Sequence, residues 1–587
     1  MQVNDGREVR CFVIFAEFSG RPRRSLPARS RPPGGLIYNA AMHQARSLPA
    51  SIERFLLSPF SLVLAVVLAF VLGAANLPLT DVDEGAFSEA TREMMARGNL
   101  VSPTLNDAPR HDKPILIYWA QAASVAVLGV SEIGFRLPSI VFAVLWMLAL
   151  YRFCRRHADR PTAQAAALVM ALTLMVGLIA KAAIADALLN LFIALAMFGI
   201  YDYFVACRDG AGQPARRRLL LVVYGALGLG FLTKGPVAVF FPLLVSGLFF
   251  ISTGNWRDWL KALFWWPGWL VFLAIVVPWH VLVYLDQGDA FFRGFYLKHN
   301  VNRYADTFEG HGGNKLYYVA TLPFILLPFT GWLLAIAGRL ARRLRATPLG
   351  TPRGEGLLER FLLIWFAVVF VFFSFSGTQL PHYLLYGATP LFIVLAGQRL
   401  EFERRWLAWL PVVLFGLLLA ALPEILVFAA GQVKKPFESA ILAGLVTAFG
   451  DEARWLLPAL LAVSLGLALW RRLPVWQGLV VAGLVQAALM ALVVAPRILE
   501  ATQGPVHEAA LIARQRPEAV VAWRIIMPSF SVYRQAATPT RIPEPGQLVF
   551  TRSDRLHEVE RLLPAGSQLH VVHQRSFVTL ARVDRAP

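Results

Sequence analysis

Asp81-Val82-Asp83-Glu84-Gly85-Ala86-Phe87-Ser88-Glu89 opens the stretch that decides the fold, and this stretch continues to Arg110-His111-Asp112-Lys113-Pro114. It follows an apolar run, 60–79, that is long enough to cross a bilayer, because a helix rises ~1.5 Å per residue through ~30 Å of hydrocarbon. Carboxylates at a membrane surface are costly and usually mark function. The alternative is a solvated loop that starts an amphipathic helix, with Asp83 as its cap.

The composition indicates a polytopic membrane protein. The chain has 587 residues, of which 57% are hydrophobic and only 16% are charged, whereas roughly a quarter of a soluble protein is charged. The net charge of +19 comes from Arg clusters in short loops between apolar runs, which is the positive-inside pattern and not a nucleic-acid-binding stripe. The three cysteines show no metal or disulfide spacing, so we expect no disulfide framework.

Placing every basic loop in the cytoplasm predicts about thirteen spans, with the N-terminus inside and the C-terminus outside. The spans are expected near 59–79, 137–152, 162–180, 186–206, 219–233, 236–252, 264–285, 317–338, 361–376, 384–398, 407–430, 453–470 and 475–495. The apolar run 115–130 is short for a span, so we predict an interfacial or re-entrant helix there, paired with a helix over 86–97.

Three regions follow from composition. Residues 1–50 are Arg- and Pro-rich and are expected to be a disordered cytoplasmic N-terminus, with Met42 as an alternative start. Residues 51–495 form the transmembrane domain, with outer loops at 80–136 and 286–316. Residues 496–587 are polar and mixed, and they are predicted to be a small α/β domain with helices over 505–516 and 553–563. Its strands are predicted over 519–523, 548–551, 569–572 and 577–581.

The predicted outer segments hold most of the acidic, His and Tyr side chains near membrane depth. These are Asp83, Glu84, Asp112, Asp186, His299, His311, His382 and Tyr383. The nearby cations are Lys113, Lys181, Lys234, Lys298 and Arg303. A general base, cations for a phosphate and aromatic rings on one side of the membrane are the components of an enzyme site.

The order of several motifs resembles the polyprenyl-phosphate-sugar glycosyltransferases of the GT-C fold. The motifs are Asp83-Glu84, Arg92-Glu93-Met94, Lys113-Pro114 with Tyr118-Trp119, and Arg136-Leu137-Pro138-Ser139. Three later segments resemble the 4-amino-4-deoxy-L-arabinose lipid A transferases, in the branch that also contains the protein O-mannosyltransferases. They are Lys298-His299-Asn300-Val301-Asn302-Arg303-Tyr304, Glu309-Gly310-His311 and Leu380-Pro381-His382-Tyr383.

This resemblance covers about 55–587 and implies a polytopic α-helical GT-C protein of the bacterial inner membrane. It implies about thirteen transmembrane helices, with 51–495 as the catalytic domain and a small C-terminal α/β periplasmic domain. The implied reaction is an inverting transfer of a sugar from undecaprenyl phosphate to a periplasmic acceptor, with lipid A expected. A protein O-glycosyltransferase is the alternative within enzymes.

The resemblance also implies roles for single residues. Asp83, with Glu84 beside it, takes the place of the catalytic carboxylate that deprotonates or orients the acceptor. Lys113 and Arg303 would hold the departing phosphate, which suits a point charge and a bidentate guanidinium. Further positions match the donor site (Asp186), the lipid phosphate (Tyr383) and contacts to a divalent metal, zinc or magnesium (Asp112 and His299).

The chain departs from the arabinose transferases beside the presumed base. Ala86 and Phe87 stand where those enzymes carry Arg and Tyr, and Asp112 stands where they carry Glu, so the donor sugar, the acceptor and the metal stay open. A lipid-linked sugar flippase is the alternative from another class. A transporter favours internal repeats and ionisable groups at mid-bilayer, whereas this chain shows no clear repeat and its ionisable groups cluster at one face.

Overall fold

Helices make up most of the computed structural model, which describes residues 48–302, 314–346, 356–402 and 404–585. Most of the helices are apolar along their length. The α-helices are Leu48–Leu56, Pro59–Val66, Asp83–Arg97, Leu116–Leu128, Glu132–His157, Arg160–Leu172, Leu174–Lys181, Asp186–Arg208, Gln213–Lys234, Val237–Ser252, Trp256–Leu263, Trp266–Gln287, Ala290–Phe292, Tyr317–Ile325, Thr330–Ala346, Leu357–Ser374, Thr389–Gly397, Arg405–Ala420, Leu422–Gln432, Pro436–Ala448, Asp451–Leu456, Ala459–Leu469, Val475–Leu489, Ala495–Thr502, Gly504–Arg514, Ser529–Arg534 and Leu556–Leu562. Wider π-helical turns occur at Val67–Val71, Arg293–Asn302 and Met490–Val494, and 3₁₀ turns at Pro381–Gly387 and Ser553–Arg555.

Six of the described helices are long and apolar enough to cross a membrane, which confirms a polytopic membrane protein. They are Glu132–His157, Asp186–Arg208, Trp266–Gln287, Leu357–Ser374, Asp451–Leu469 and Val475–Thr502. Four further pairs of consecutive helices are apolar enough together but are bent by 71°, 66°, 116° and 60°. These bent pairs are Pro49–Leu56 with Pro59–Val71, Arg160–Leu172 with Leu174–Lys181, Tyr317–Ile325 with Thr330–Arg343, and Arg405–Ala420 with Leu422–Gln432.

Several predicted spans therefore differ from the observed helices. The runs 162–180, 317–338 and 407–430 are each broken, and Pro328 and Pro423 lie at two of the breaks, where a missing N–H and a fixed φ end a helix. The run 384–398 holds a helix of only 9 residues, Thr389–Gly397. The number of spans and their orientation remain predictions.

The apolar run after the acidic stretch is a short helix, Leu116–Leu128, of 13 residues. A second short apolar helix, Pro436–Ala448, lies in a segment for which no span was predicted. The first agrees in length with the predicted interfacial or re-entrant helix.

The C-terminal region contains a four-stranded mixed sheet whose order is β3-β4-β6-β5. Its strands are β3 (Val520–Trp523), β4 (Leu548–Arg552), β5 (Ser567–Arg575) and β6 (Val578–Arg585). β3 and β4 pair in parallel, whereas β4–β6 and β5–β6 are antiparallel. Each predicted strand is present, because short runs of β-branched and aromatic residues between turn residues mark strands clearly. Leu48–Pro587 forms one compact unit, to which this sheet belongs.

Candidate active site

Asp83 is the first residue of the helix Asp83–Arg97, and its side chain is exposed. The residue that precedes the helix is Val82, and no side chain caps this helix end. Among the described residues, none forms a hydrogen bond or an ion pair with the Asp83 carboxylate. The rest of the first two turns is buried, so this carboxylate is the group that the first two turns leave exposed.

Glu84, by contrast, is buried and fully occupied. Its carboxylate receives two hydrogen bonds from Arg136, at 2.6 and 2.9 Å. The backbone N–H groups of Thr80 and Ala183 donate to it at 2.7 and 2.9 Å. Burial alone would raise the pKa of Glu84, but Arg136 and these N–H groups hold it below its ordinary value. This geometry favours a positioning role for Glu84 over a role as the base.

Two hydrogen bonds to Ala183 connect the turn before Asp186 to the helices Asp83–Arg97 and Leu116–Leu128. Glu84 accepts from the Ala183 N–H as described, and Gln121 donates to the Ala183 carbonyl at 2.9 Å. Gln121 also accepts from the Thr91 hydroxyl at 2.7 Å. The helices Asp83–Arg97 and Leu116–Leu128 therefore meet at the start of the helix Asp186–Arg208.

Asp186 is the centre of a buried polar cluster. Lys234 Nζ lies 2.9 Å from Asp186 Oδ1, and the Tyr386 hydroxyl donates to the same oxygen at 2.6 Å. Lys234 also donates to the Tyr386 hydroxyl at 2.6 Å, and its ammonium lies 5.1 Å from the centre of the Tyr383 ring. His382 Nε2 lies 3.7 Å from Asp186 Oδ1. The carboxylate thus fixes a lysine against two aromatic rings.

Lys234 faces a cavity of about 280 Å³. Its polar wall contains Asp112, Lys113, Tyr383 and Tyr386. Its apolar wall is made by Pro236, Val237, Phe240, Phe295, Phe372 and Phe373. A lining with two cations and four phenylalanines suits an amphiphile with an anionic head and a hydrocarbon tail.

Arg110 brings a cation and a phenol to the side of the Asp83 helix. Its guanidinium donates to the Tyr118 hydroxyl at 3.1 Å, pairs with Asp112 at 3.1 Å and lies 5.4 Å from the centre of the Phe87 ring. Burial would lower the pKa of Arg110, but Tyr118, Asp112 and Asp83 together raise it. Arg110 and Tyr118 therefore place a guanidinium and a phenol close to Phe87.

A short hairpin, β1 (Thr104–Leu105) with β2 (Ala108–Pro109), leads directly to Arg110. Glu93 of the Asp83 helix anchors it, because its carboxylate accepts from the Thr104 hydroxyl at 2.5 Å and the Asn106 N–H at 2.6 Å. The same helix that presents Asp83 therefore fixes the segment that contains Lys113.

The predicted metal site gains no support from the described residues. Within the described ranges, no three His, Cys, Asp or Glu side chains come together, and the Asp112 carboxylate is paired with Arg110, a cation that competes with a metal. The side chain of His299, together with Arg303 and His311, lies outside what the structure describes. Their predicted roles stay predictions.

Comparisons with known proteins show which proteins this chain is similar to. The family model described as dolichyl-phosphate-mannose-protein mannosyltransferase matches residues 112–282. An undecaprenyl phosphate-alpha-4-amino-4-deoxy-L-arabinose arabinosyl transferase from Shewanella sediminis is 28% identical over 346 residues, which is 58% of this chain and 59% of the relative. A similarly named transferase 2 from Pseudomonas fluorescens is 26% identical over 485 residues, covering 80% of this chain and 83% of that protein.

A solved structure confirms the fold. The crystal structure of ArnT from Cupriavidus metallidurans bound to undecaprenyl phosphate superposes with a TM-score of 0.72 at 20% identity, covering 89% of this chain and 97% of that one.

The fold and these relatives define the class of protein as a polytopic membrane protein with the GT-C fold, similar to glycosyltransferases. Within that class, the chain resembles the aminoarabinose transferases and the protein mannosyltransferases, as its motifs predict. It is a multi-pass protein of the bacterial inner membrane.

The structure brings together Lys113, Asp112, Asp186 and Tyr383 around or beside one cavity. Sequence reasoning placed Lys234 among the nearby cations and quoted Arg110 in the acidic stretch but gave neither a role, and it overlooked Tyr386. A lysine at the end of an apolar run was a usable signal for Lys234, because such cations seldom lie near a membrane without a partner. Nothing local in the sequence singles out Tyr386.

Proposed function

We propose that this protein transfers a sugar from undecaprenyl phosphate to lipid A on the periplasmic face of the inner membrane. One observation carries the proposal. It is the cavity whose polar lining includes Lys113 and Lys234 and whose apolar lining includes phenylalanines. It provides charge for the phosphate of the donor and hydrocarbon contacts for the adjoining isoprenoid units. The curated relatives named above act on this type of donor.

In the proposed reaction, an acceptor oxygen attacks the anomeric carbon of the sugar as the bond from that carbon to the phosphate oxygen breaks. The electron pair goes to the phosphate, and undecaprenyl phosphate leaves. Asp83 takes the proton of the acceptor or holds the acceptor in line, because its carboxylate is exposed and has no hydrogen-bond or ion-pair partner among the described residues. Fixed cations stabilise charge that develops on the leaving group.

The Asp186 cluster prepares one of these cations. Lys234 is held by Asp186 and Tyr386, so little conformational freedom is lost when a phosphate arrives. Arg110 and Tyr118 act as positioning residues, because they fix the Asp112–Lys113 segment beside the Asp83 helix.

The test reconstitutes the purified protein with a panel of radiolabelled undecaprenyl-phosphate sugars and with lipid A. We expect transfer by the wild type and a loss of about 10²–10⁴-fold in rate for Asp83→Asn, as for removal of a general base. Asp107→Asn is the matched control, because Asp107 is also exposed and lies outside the cavity lining. Donor binding by Asp83→Asn should stay within about twofold of the wild type.

Two results would contradict the proposal. If Asp83→Asn transfers sugar as fast as the wild type, Asp83 is not the base, although the protein is still a sugar transferase. Movement of the labelled donor across vesicles without turnover would favour the flippase.

A protein acceptor is the second candidate, favoured by the match of residues 112–282 to a family described by protein mannosyl transfer. Transfer of label to a periplasmic protein fraction, with none to lipid A from any donor of the panel, would establish it.

A further inference from the structure

A groove of about 150 Å³ is lined in part by the two long helices that contain Asp186 and Lys234. The helix Asp186–Arg208 begins at Asp186 and the helix Gln213–Lys234 ends at Lys234, and these two residues are paired at 2.9 Å. The helices have 23 and 22 residues, so their other ends lie roughly 33 Å away, which is about the thickness of the hydrocarbon of a bilayer. The groove shares no lining residue with the cavity that contains Lys113, and the mechanism proposed above does not use it.

A short helix, Trp256–Leu263, forms one wall of the groove and is fixed there by hydrogen bonds. The Tyr224 hydroxyl lies 3.0 Å from the Leu263 carbonyl oxygen, to which the Trp269 indole N–H donates at 2.7 Å. The Trp259 indole N–H donates to a hydroxyl of the facing wall at 2.9 Å. Because the polar atoms of these three side chains are already paired, their rings contribute apolar surface to a groove that is preformed.

The groove is open to the hydrocarbon of the membrane. Leu243 lines it and is 42% exposed, so part of this side chain is accessible from the bilayer. On the helix Val237–Ser252 the lining extends from Val239 to Phe250, which is roughly 16 Å along the helix axis. A segment of an acyl chain can therefore lie in the groove without leaving an apolar surface.

Aromatic side chains mark the depth of one end of the groove. Trp256, Phe264 and Trp266 are 48%, 74% and 68% exposed, and they lie at or next to the ends of the short helix. The Tyr203 hydroxyl, from the last turns of the helix that begins at Asp186, donates to the Asp258 carbonyl of the short helix at 3.3 Å. Tryptophan is enriched where the hydrocarbon of a bilayer meets its headgroups. The end of the groove beside the short helix therefore lies at headgroup depth.

Two arginines lie at this end of the groove. Arg216 and Arg217 precede the lining residue Leu220 by four and three residues on the helix Gln213–Lys234, and residues at these spacings share one face of a helix. Within the described ranges, no hydrogen bond or ion pair engages either guanidinium, and the buried Nε of Arg216 has no partner there. Neither charge is therefore compensated by a carboxylate of the described residues.

The carboxylates of the neighbouring segments pair with other cations. Asp209 contacts Arg208 at 2.7 Å, and Asp258 contacts Lys261 at 2.8 Å. Arg257 is exposed and adds a further positive charge on the short helix. This end of the groove therefore carries an excess of positive charge, which complements the phosphate of an anionic lipid.

We propose that the groove binds an anionic phospholipid, with one acyl chain against Leu243 and the headgroup phosphate on Arg216 and Arg217. This lipid belongs to the leaflet opposite to the Asp186 cluster. Since both helices that contain Asp186 and Lys234 line the groove, a bound lipid stabilises the packing that brings this pair together. The inference stands apart from the proposed function, because it requires no sugar transfer.

The first test measures the binding of single phospholipids to the full-length protein in detergent by native mass spectrometry. The probes are phosphatidylglycerol, which is anionic, and phosphatidylcholine, which is zwitterionic. We expect the wild type to bind phosphatidylglycerol more tightly than phosphatidylcholine. The double variant Arg216→Gln with Arg217→Gln should bind phosphatidylglycerol about tenfold more weakly, as for lost charge-assisted contacts. The matched control, Arg471→Gln with Arg472→Gln, removes two exposed charges from another loop and should stay within about twofold of the wild type.

The second test blocks the groove. Leu243→Trp places an indole at its opening and should lower the affinity for both phospholipids. Leu248→Trp on the same helix is the matched control, because Leu248 is 44% exposed and lies outside the lining. Phosphatidylglycerol should raise the melting temperatures of the wild type and of Leu248→Trp more than that of Leu243→Trp, because a ligand stabilises only the protein that binds it.

Equal weakening by the two double arginine variants would overturn the inference, because binding would then follow the total charge of the protein. Equal affinities of the wild type for the two phospholipids would overturn it as well. So would tighter binding of undecaprenyl phosphate than of phosphatidylglycerol that is lost in Leu243→Trp, because the groove would then hold the donor chain. If the Arg216 and Arg217 double variant does not fold, Arg217→Gln alone provides the test, since Arg217 is exposed, and an unchanged preference for phosphatidylglycerol would contradict the proposal.

Discussion

Asp83 and Glu84 are chemically alike and adjacent, yet their surroundings give them different tasks. Asp83 is exposed at the start of its helix, whereas all four hydrogen bonds to Glu84 come from groups that hold three segments together. Arg136 already stabilises the negative charge of Glu84, and this makes Glu84 a weak base. Glu84 therefore holds segments of the chain together. The exposed carboxylate of Asp83 can contact an acceptor.

We expect Glu84→Gln to cost about 3–5 kcal/mol of stability, because it removes one partner of a buried ion pair and leaves the Arg136 charge uncompensated. Thermal unfolding of the purified protein in detergent measures this loss. Glu508→Gln is the control, since Glu508 forms an exposed pair with Arg575 and such pairs contribute about 0–1 kcal/mol. Equal melting temperatures for both variants would show that the Glu84 pair contributes little.

At the scale of elements, the Asp83 helix positions several parts of the site at once. One end contacts Arg136 and the Ala183 turn, and Glu93 in its third turn fixes the hairpin β1–β2. The segment with Arg110 and Lys113 begins where this hairpin ends. The geometry of the site therefore depends on one helix and on the polar groups along it.

Glu93→Gln should loosen the hairpin while leaving the Asp83 helix in place. The glutamine amide has one acceptor oxygen where the carboxylate has two. It therefore cannot accept from both the Thr104 hydroxyl and the Asn106 N–H in the same way, and we expect the free energy of unfolding to fall by about 1–3 kcal/mol. Hydrogen exchange at 104–113 should become faster than in the wild type, with sugar transfer reduced about tenfold. Unchanged exchange in this segment would show that the strand pairing alone holds it.

Sequence patterns predicted the elements better than their junctions. The strands over 548–551 and 577–581 were predictable because each is a short apolar run rich in β-branched and aromatic residues, a signal that depends only on neighbouring residues. The break at Thr173 was not, because the carbonyl of Leu327 accepts from the N–H of Leu174, a contact between distant segments. Likewise, Lys234 could be recognised as a cation near the membrane, but its pairing with Asp186 across 48 residues depends on helix packing.

At the scale of the whole molecule, the C-terminal region contacts the N-terminal end of the Asp83 helix. Asp81 accepts from the backbone N–H of Ser529 at 2.9 Å and from the Ser529 hydroxyl. A Cβ on Gly85 would lie 2.6 Å from the Ser529 nitrogen, so only glycine permits this approach. Asn106 accepts from Ser531 and from the Thr538 N–H at 2.7 and 3.0 Å, which joins the hairpin to the same region.

This junction should weaken as the pH rises. Burial raises the pKa of Asp81 from 3.8 to about 7, although hydrogen bonds from Ser529 oppose the shift. The folded protein therefore holds a proton that the unfolded chain releases, and stability falls between pH 3.8 and about 7 and then levels off. Asp81→Asn should flatten this slope, which unfolding at pH 5 and pH 7.5 would measure. An identical pH dependence in both proteins would rule out Asp81 as its source.

The order in which the chain is made gives the Glu84–Arg136 pair a further consequence. Arg136 belongs to the first turns of the helix Glu132–His157, which is apolar enough to span the membrane, and an arginine in such a helix costs up to roughly 2.5–3.5 kcal/mol during insertion, the figure for the helix centre. Glu84 is synthesised 52 residues earlier, so its carboxylate already exists when the ribosome releases Arg136. This guanidinium also donates to the carbonyl groups of Ala74, Leu77 and Pro78. These residues are synthesised even earlier than Glu84. Every hydrogen-bond partner that the described residues give to Arg136 is therefore already translated when this charge reaches the membrane.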